Sequence, residues 1–161
     1  MPNPIASFDD GMQIVTFDPA LRSEFRRLNV AWLTRYFRVE PIDEQVLGNP
    51  EEEIIAPGGE VLFACWNEQV VGTVALKPEE AGAFELTKMA VDEAWQGRGF
   101  GRRLIEAAAD VAKQRGASKL ILYSQRGLAA AIHLYRSFGF EEIPLCDQRY
   151  SRCDIKMQRP L

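Results

Sequence analysis

The chain has 161 residues, of which 47% are apolar and 26% charged, and a formal net charge of -4. Length and composition specify one globular domain, residues 1–161, with a sizeable core and no extensive disorder. The acidic balance argues against a protein that coats nucleic acid or an anionic membrane, because both need a surplus of basic residues, so any basic site must be local.

The opening "MPNPIASFDDG" lacks the charged and apolar regions of a secretory signal, and no apolar run reaches membrane-span length, so a cytoplasmic protein without membrane partners is expected. Cys65, Cys146 and Cys153 are odd in number and unclustered, and there is one histidine, His133. Neither a disulfide framework nor a metal site is indicated, and unpaired thiols suit a reducing compartment.

In chain order, "MQIVTFD" (residues 12–18) alternates like a strand, and Asp18-Pro19 supplies an N-cap with proline at the first helical position. Leu21, Phe25, Leu28, Trp32 and Tyr36 recur at steps of three and four, which predicts a helix to about Phe37. Residues 43–47 suit a shorter helix stopped by Gly48. "EVLFACW" and "QVVGTVALK" read as a hairpin joined at Asn67-Glu68, and "FELTKMAV" as a third strand. A helix from about Arg98 to Arg115, stopped by Gly116, buries Leu104, Ala108, Val111 and Ala112 and leads to the strand "KLILYS". A helix from 127 to 138 and two strand-like runs, "FEEIPL" and "CDIKMQR", close the chain. Antiparallel hairpins with one βαβ crossover make an α+β arrangement: a mostly antiparallel sheet of six to seven strands with one parallel pair, flanked by about four helices.

The stretch "QGRGFGRR" places Gly97, Gly99 and Gly101 with Arg98, Arg102 and Arg103 where a helix begins. A helix N-terminus has unpaired N–H groups and positive potential, so a cation there is unfavourable by about 0.3 to 1 kcal/mol. The arginines therefore call for an anion, and the glycines let backbone N–H groups close around phosphate oxygens. A P-loop is excluded, because no lysine followed by Ser or Thr is present. A dinucleotide fingerprint fails because Arg102 occupies its last glycine position and no acidic residue follows the next strand. Q-x-x-G-x-G, after a strand and opening a helix, is the pattern that fits.

With "ELTKMAV" before it and "AIHLYRSFGFEEIP" after it, the motif resembles the GNAT superfamily of acyl-coenzyme A dependent N-acetyltransferases over most of the chain. The resemblance implies that Gln96, Gly97, Arg98, Gly99, Phe100, Gly101 and Arg102 hold the pyrophosphate of acetyl-CoA, with Met89, Ala90 and Val91 pairing with the pantetheine arm. An alkyl amine of pKa about 10 must lose a proton before it attacks. Glu85, which the period of two puts on the same face as Thr87 and Met89, is the candidate base, acting directly or through water. The tyrosine of the family's "LY" motif, Tyr135, is implied as the general acid toward the departing thiolate, and the Met89 N–H as the oxyanion donor. Gln125 stands near where many relatives carry asparagine. His133 falls on a different helix face from Tyr135, and Cys146 and Cys153 have no adjacent base in sequence.

Trp32, Phe37, Glu40 and Tyr150, with Tyr36 and Arg152 nearby, fall where the family builds its acceptor pocket. The implied function is transfer of acetyl from acetyl-CoA to a small-molecule or peptide amine, without metal. A catalytically silent coenzyme A binding module is the alternative, and a homodimer is compatible with both.

Overall fold

The computed structural model describes residues 2–147 and 149–161. Its strands are β1 (Pro4–Ser7), β2 (Met12–Val15), β3 (Glu60–Trp66), β4 (Gln69–Pro78), β5 (Ala83–Val91), β6 (Lys119–Ser124), β7 (Glu141–Ile143) and β8 (Ile155–Pro160). The α-helices are α1 (Arg22–Tyr36), α2 (Pro41–Gly48), α3 (Phe100–Gln114) and α4 (Ala129–Ser137). All eight strands lie in one sheet, in the order β1-β2-β3-β4-β5-β6-β8-β7. Among the described residues only β5 and β6 run parallel, joined by the crossover through α3.

The expected six to seven strands are therefore corrected to eight. The extra one is β1, a four-residue edge strand pairing with β2 across a register shift, and its proline and short length carry no alternating pattern. Among the expected elements, the Asn67-Glu68 hairpin has φ of 50° and 64° at its two loop residues, the geometry that matches the right-handed twist of the strands it joins. Asp18 accepts from Ala20 N at 2.8 Å, as its place before proline requires, but the element it caps is a single tight turn, Pro19–Leu21, that feeds α1. After α2 a wide helical turn, Glu51–Ile55, drops Ile54 into the core.

The sheet is covered on both faces. On one, Leu104, Ile105, Ala108 and Ala112 of α3 pack on Leu62, Val74, Leu86, Leu122 and Met157, with half-buried side chains of α4 against the same cluster. On the other, Phe25, Leu28 and Leu33 of α1 and Val46 and Leu47 of α2 cover Val15, Val61, Phe63 and Ala75. Because β3 is buried on both faces, it reads as a continuous apolar run and not as an alternation. No helix among the described residues is long and apolar enough to cross a membrane.

Candidate active site

The site begins with a break in the sheet. β5 and β6 pair only from Ala83–Glu85 against Lys119–Ile121, after which β6 stays with β8 through Ser124. From Leu86 onward the edge of β5 toward β6 has no strand partner among the described residues, so its main-chain groups are free for a ligand. On its other side β5 carries a bulge. Thr87 pairs with Ala75 and Ala90 with Thr73, so β5 uses three steps where β4 uses two, and Lys88 takes up the difference at φ 54°.

The bulge changes which residues share a face. Leu86 lies in the core beneath α3, as do Met89 and Val91, whereas Ala90 joins the core beneath α1. Glu85 and Thr87, alternating with Leu86, therefore face α1. The expectation that Glu85, Thr87 and Met89 share one face is corrected: the period of two holds only up to Lys88.

Beyond β5, Asp92 caps a short turn by accepting from Ala94 N at 3.0 Å, and Gln96 Nε2 returns to Val91 O at 3.2 Å. Gly97 and Gly99 then take φ of 78° and 81°, which glycine adopts without strain. Gly99 opens α3 with no side-chain cap, leaving the first-turn N–H groups unclaimed by a cap. The groove here is lined by Met89, Ala90, Val91, Gln96, Gly97, Gly99, Phe100, Gly101 and Arg102, with Ala130, Ala131 and Leu134 of α4 opposite. Phe100 lines the groove while 4% exposed.

The arginines divide. Arg98 lies over the Trp95 ring at 4.6 Å and does not line the groove, while Arg102 lies over Phe138 at 4.9 Å. Arg103 already has its anion, since Nη1 meets both Asp10 carboxylate oxygens at 2.9 and 3.0 Å, which ties α3 to the turn before β2. The three do not act together, and Arg103 leaves the anion-site reading.

Where β5 and β6 part, a cavity opens between α1, β5, α4 and the loop 149–153. Its wall includes Trp32, Phe37, Tyr123, Tyr150, Tyr135 and Gln125. Tyr135 packs edge-on against Phe140, and burial pushes its hydroxyl up to about 12. Cys153, also in the wall, is held by burial at about 11 despite Arg152, so its thiol stays protonated at neutral pH. His133 is exposed, away from the cavity.

Glu85 is 1% exposed and lies behind this wall, not in it. Arg149 Nη1 donates to its Oε1 at 2.7 Å while also bridging to Glu79, and the Tyr150 hydroxyl donates to its Oε2 at 3.2 Å. Burial raises the Glu85 carboxyl above the ordinary carboxylate range, and Arg149 only partly opposes it. Glu40 does not line the cavity either. It accepts from Arg152 Nη1 at 2.8 Å and from Ser151 Oγ at 2.5 Å.

The groups that sequence reading missed belong to one buried network. Asp43, 0% exposed, accepts from Lys88 Nζ at 2.8 Å and from both Arg152 terminal nitrogens at 2.9 Å, and receives the Glu40 N–H at 2.9 Å. Burial pushes the Asp43 carboxyl up, but Arg152 and Lys88 outweigh it and hold it below the ordinary range. Burial also pulls the Lys88 amine down against the attraction of Asp43. A lysine inside "LTKMAV" was the one available signal, because an interior strand lysine needs a buried partner. Among the described residues no group of three or more His, Cys, Asp and Glu stands where it could hold a metal ion.

A family model described as Acetyltransferase (GNAT) family matches residues 20–140. The chain belongs to the GNAT acetyltransferase family. Among related proteins, a [ribosomal protein bS18]-alanine N-acetyltransferase from Escherichia coli (strain K12) is 39% identical over 69 residues, 43% of this chain and 47% of that protein. A mycothiol acetyltransferase from Beutenbergia cavernae is 35% identical over 74 residues, 46% of this chain and 25% of that protein. The chain thus aligns with no more than about half the length of these curated relatives. The crystal structure of a GNAT-family acetyltransferase from Staphylococcus aureus Mu50 superposes with a TM-score of 0.83 at 20% identity, covering 92% of this chain and 98% of that one. At that identity the likeness carries the GNAT fold alone, here with eight strands.

Proposed function

We propose that this GNAT chain moves the acetyl group of acetyl-CoA directly to a primary amine in a ternary complex. The observation that carries the reading is that Trp32, Met89 and Ala131 line both the groove at the start of α3 and the cavity between β5 and β6. A ligand with an anionic end and a long flexible arm fits that path: phosphates at the Gln96–Arg102 loop, the arm along the free β5 edge, the thioester at the cavity. In this reading the Met89 N–H, at the bulge, receives the tetrahedral oxyanion.

Tyr135 serves the departing sulfur. With its hydroxyl near 12 it stays protonated throughout the working range. Full transfer to a thiolate of pKa about 8.5 is uphill, so its part is to hold the sulfur by hydrogen bond as the C–S bond breaks and to yield its proton late, the phenolate regaining one from solvent. Glu85 takes the amine proton through Tyr150. As the phenol oxygen of Tyr150 accepts a proton from the attacking nitrogen, its own proton passes to Glu85 Oε2, 3.2 Å away, and Tyr150 remains neutral. The raised Glu85 carboxyl suits this, because a stronger base lies closer to the amine.

Calorimetric titration with acetyl-CoA, with ATP and NAD as controls, tests the donor assignment. Selective acetyl-CoA binding is expected. Preference for either control, or no binding, would overturn the reading of the Gln96–Arg102 loop and the mechanism with it.

A further inference from the structure

Among the described residues, every cation within reach on the acceptor side of the cavity already holds a carboxylate. Lys88 is paired with Asp43, Arg152 with Asp43 and Glu40, and Arg149 with Glu79 and Glu85. A substrate carboxylate would be desolvated there without a free partner. The same pairs occupy the anions, Asp147 is held by the Tyr123 hydroxyl and Lys156, and Glu85 is screened from the cavity by Arg149 and Tyr150, so among the described residues a second ammonium finds no free carboxylate in the wall. The Tyr150 ring already faces Lys88 at 4.9 Å and Arg152 at 5.0 Å, which uses up its capacity for a cation.

The polar side chains left over in the wall, Thr87, Ser124, Gln125 and Asn29, are all neutral. Asn29, 3% exposed, lines the cavity from α1 and spends its Nδ2 on Phe25 O at 3.0 Å. That bond fixes the amide's orientation and leaves Oδ1 with no hydrogen-bond partner among the described residues, an acceptor suited to an amine N–H. Around it stand Trp32 and Phe37. Arg152, in the wall, and its neighbour Ser151 are tied to the start of α2 through Glu40 and Asp43.

Given acetyl transfer at this site, on which the inference rests, we infer that the acceptor is a small primary amine on an uncharged apolar body. An α-amino acid and a polyamine are rejected because each brings a charge the wall does not answer. A peptide is rejected because the ties of Ser151 and Arg152 keep the loop 149–153, which bounds the cavity, from parting for its chain.

The test is the rate of thiol release by the full chain at saturating acetyl-CoA, with 2-phenylethylamine, phenylalanine, spermidine and an Ala-Phe dipeptide amide as acceptors. Phenylalanine carries the body of 2-phenylethylamine plus one carboxylate, so the pair isolates the charge. The expected kcat/KM for 2-phenylethylamine exceeds each of the other three by about tenfold or more. Equal or faster turnover of any of the three overturns the inference. Acetyl-CoA binding with no turnover of 2-phenylethylamine also overturns it and leaves the donor assignment standing, whereas absence of acetyl-CoA binding removes both. Asn29→Asp, checked for retained acetyl-CoA binding, is expected to shift the kcat/KM ratio toward 1,4-diaminobutane by about tenfold; an unchanged ratio would remove Asn29 from amine recognition.

Discussion

The donor groove and the acceptor cavity adjoin, yet they are built on opposite principles. The groove is made from consecutive residues, Gln96 to Arg102, whose backbone conformation does the work. Nothing lies within 4 Å of where a Cβ would stand on Gly97 or Gly99. The cavity is made from side chains that meet only in the fold: Asn29 and Trp32 of α1, Lys88 of β5, Tyr135 of α4, and Tyr150 and Arg152 of the loop before β8. A site of the first kind tolerates change by shifting its backbone. A site of the second kind depends on every partner, because removing one leaves a buried group unpaired.

The largest expected effect falls in the cavity, one turn along α4 from Ala131, which lines both regions. Tyr135→Phe removes one hydroxyl and keeps the ring that packs on Phe140, so acetyl-CoA affinity should hold while kcat drops about 10²- to 10⁴-fold. Titration and initial rates on the same preparation separate the two parameters. Equal loss in both would make Tyr135 a wall residue of the groove; unchanged kcat would remove it from the mechanism.

Next in size is Glu85→Gln, expected to lower kcat/KM by about 10- to 100-fold near neutral pH. The amide still accepts from Tyr150, and Arg149 keeps Glu79, so the fold should persist. The sign of the pH effect follows from the raised carboxyl: protonated, Glu85 cannot take a proton, so wild-type kcat/KM falls with decreasing pH through a point above the ordinary carboxylate range. The variant should lose that limb. In the folded state the same raised value means that protons bind more tightly than in the unfolded chain, so stability declines as pH rises through it, and the substitution should flatten that slope as well. A pH–rate profile with the acid limb unmoved would show that the proton leaves by another route.

This contrast also explains what was legible in the sequence. The groove could be read because its signal is local: glycine and arginine spacing after a strand, with the αL turn and the helix start inside one short stretch. The hairpin at Asn67-Glu68 was readable for the same reason. The bulge was not, since "ELTKMAV" carries no glycine or proline to mark it and only pairing with β4 reveals the extra residue at Lys88. Arg149 and Asp43 were invisible as site residues, because each is identified by a partner tens of residues away, Glu85 and Lys88. Arg103 was misread in the opposite sense, for its partner Asp10 is 93 residues distant and nothing near it in sequence says the charge is already answered.

The smallest effect belongs to the backbone-built region. At φ 81° and ψ 10° Gly99 occupies the left-handed region, where an L side chain costs about 1 to 2 kcal/mol. Since a Cβ there meets no protein atom, Gly99→Ala adds strain without a clash. The loop can meet that cost by relaxing away from the geometry that presents the first-turn N–H groups, and acetyl-CoA Kd should then rise by about tenfold, with kcat nearly unchanged. A rise far beyond that would mean the new methyl meets the ligand itself, so the phosphates would pass closer to Gly99 than to Gly101. No rise at all would mean that N–H groups already held open contribute little, and would shift the weight of phosphate binding onto the Arg102 guanidinium.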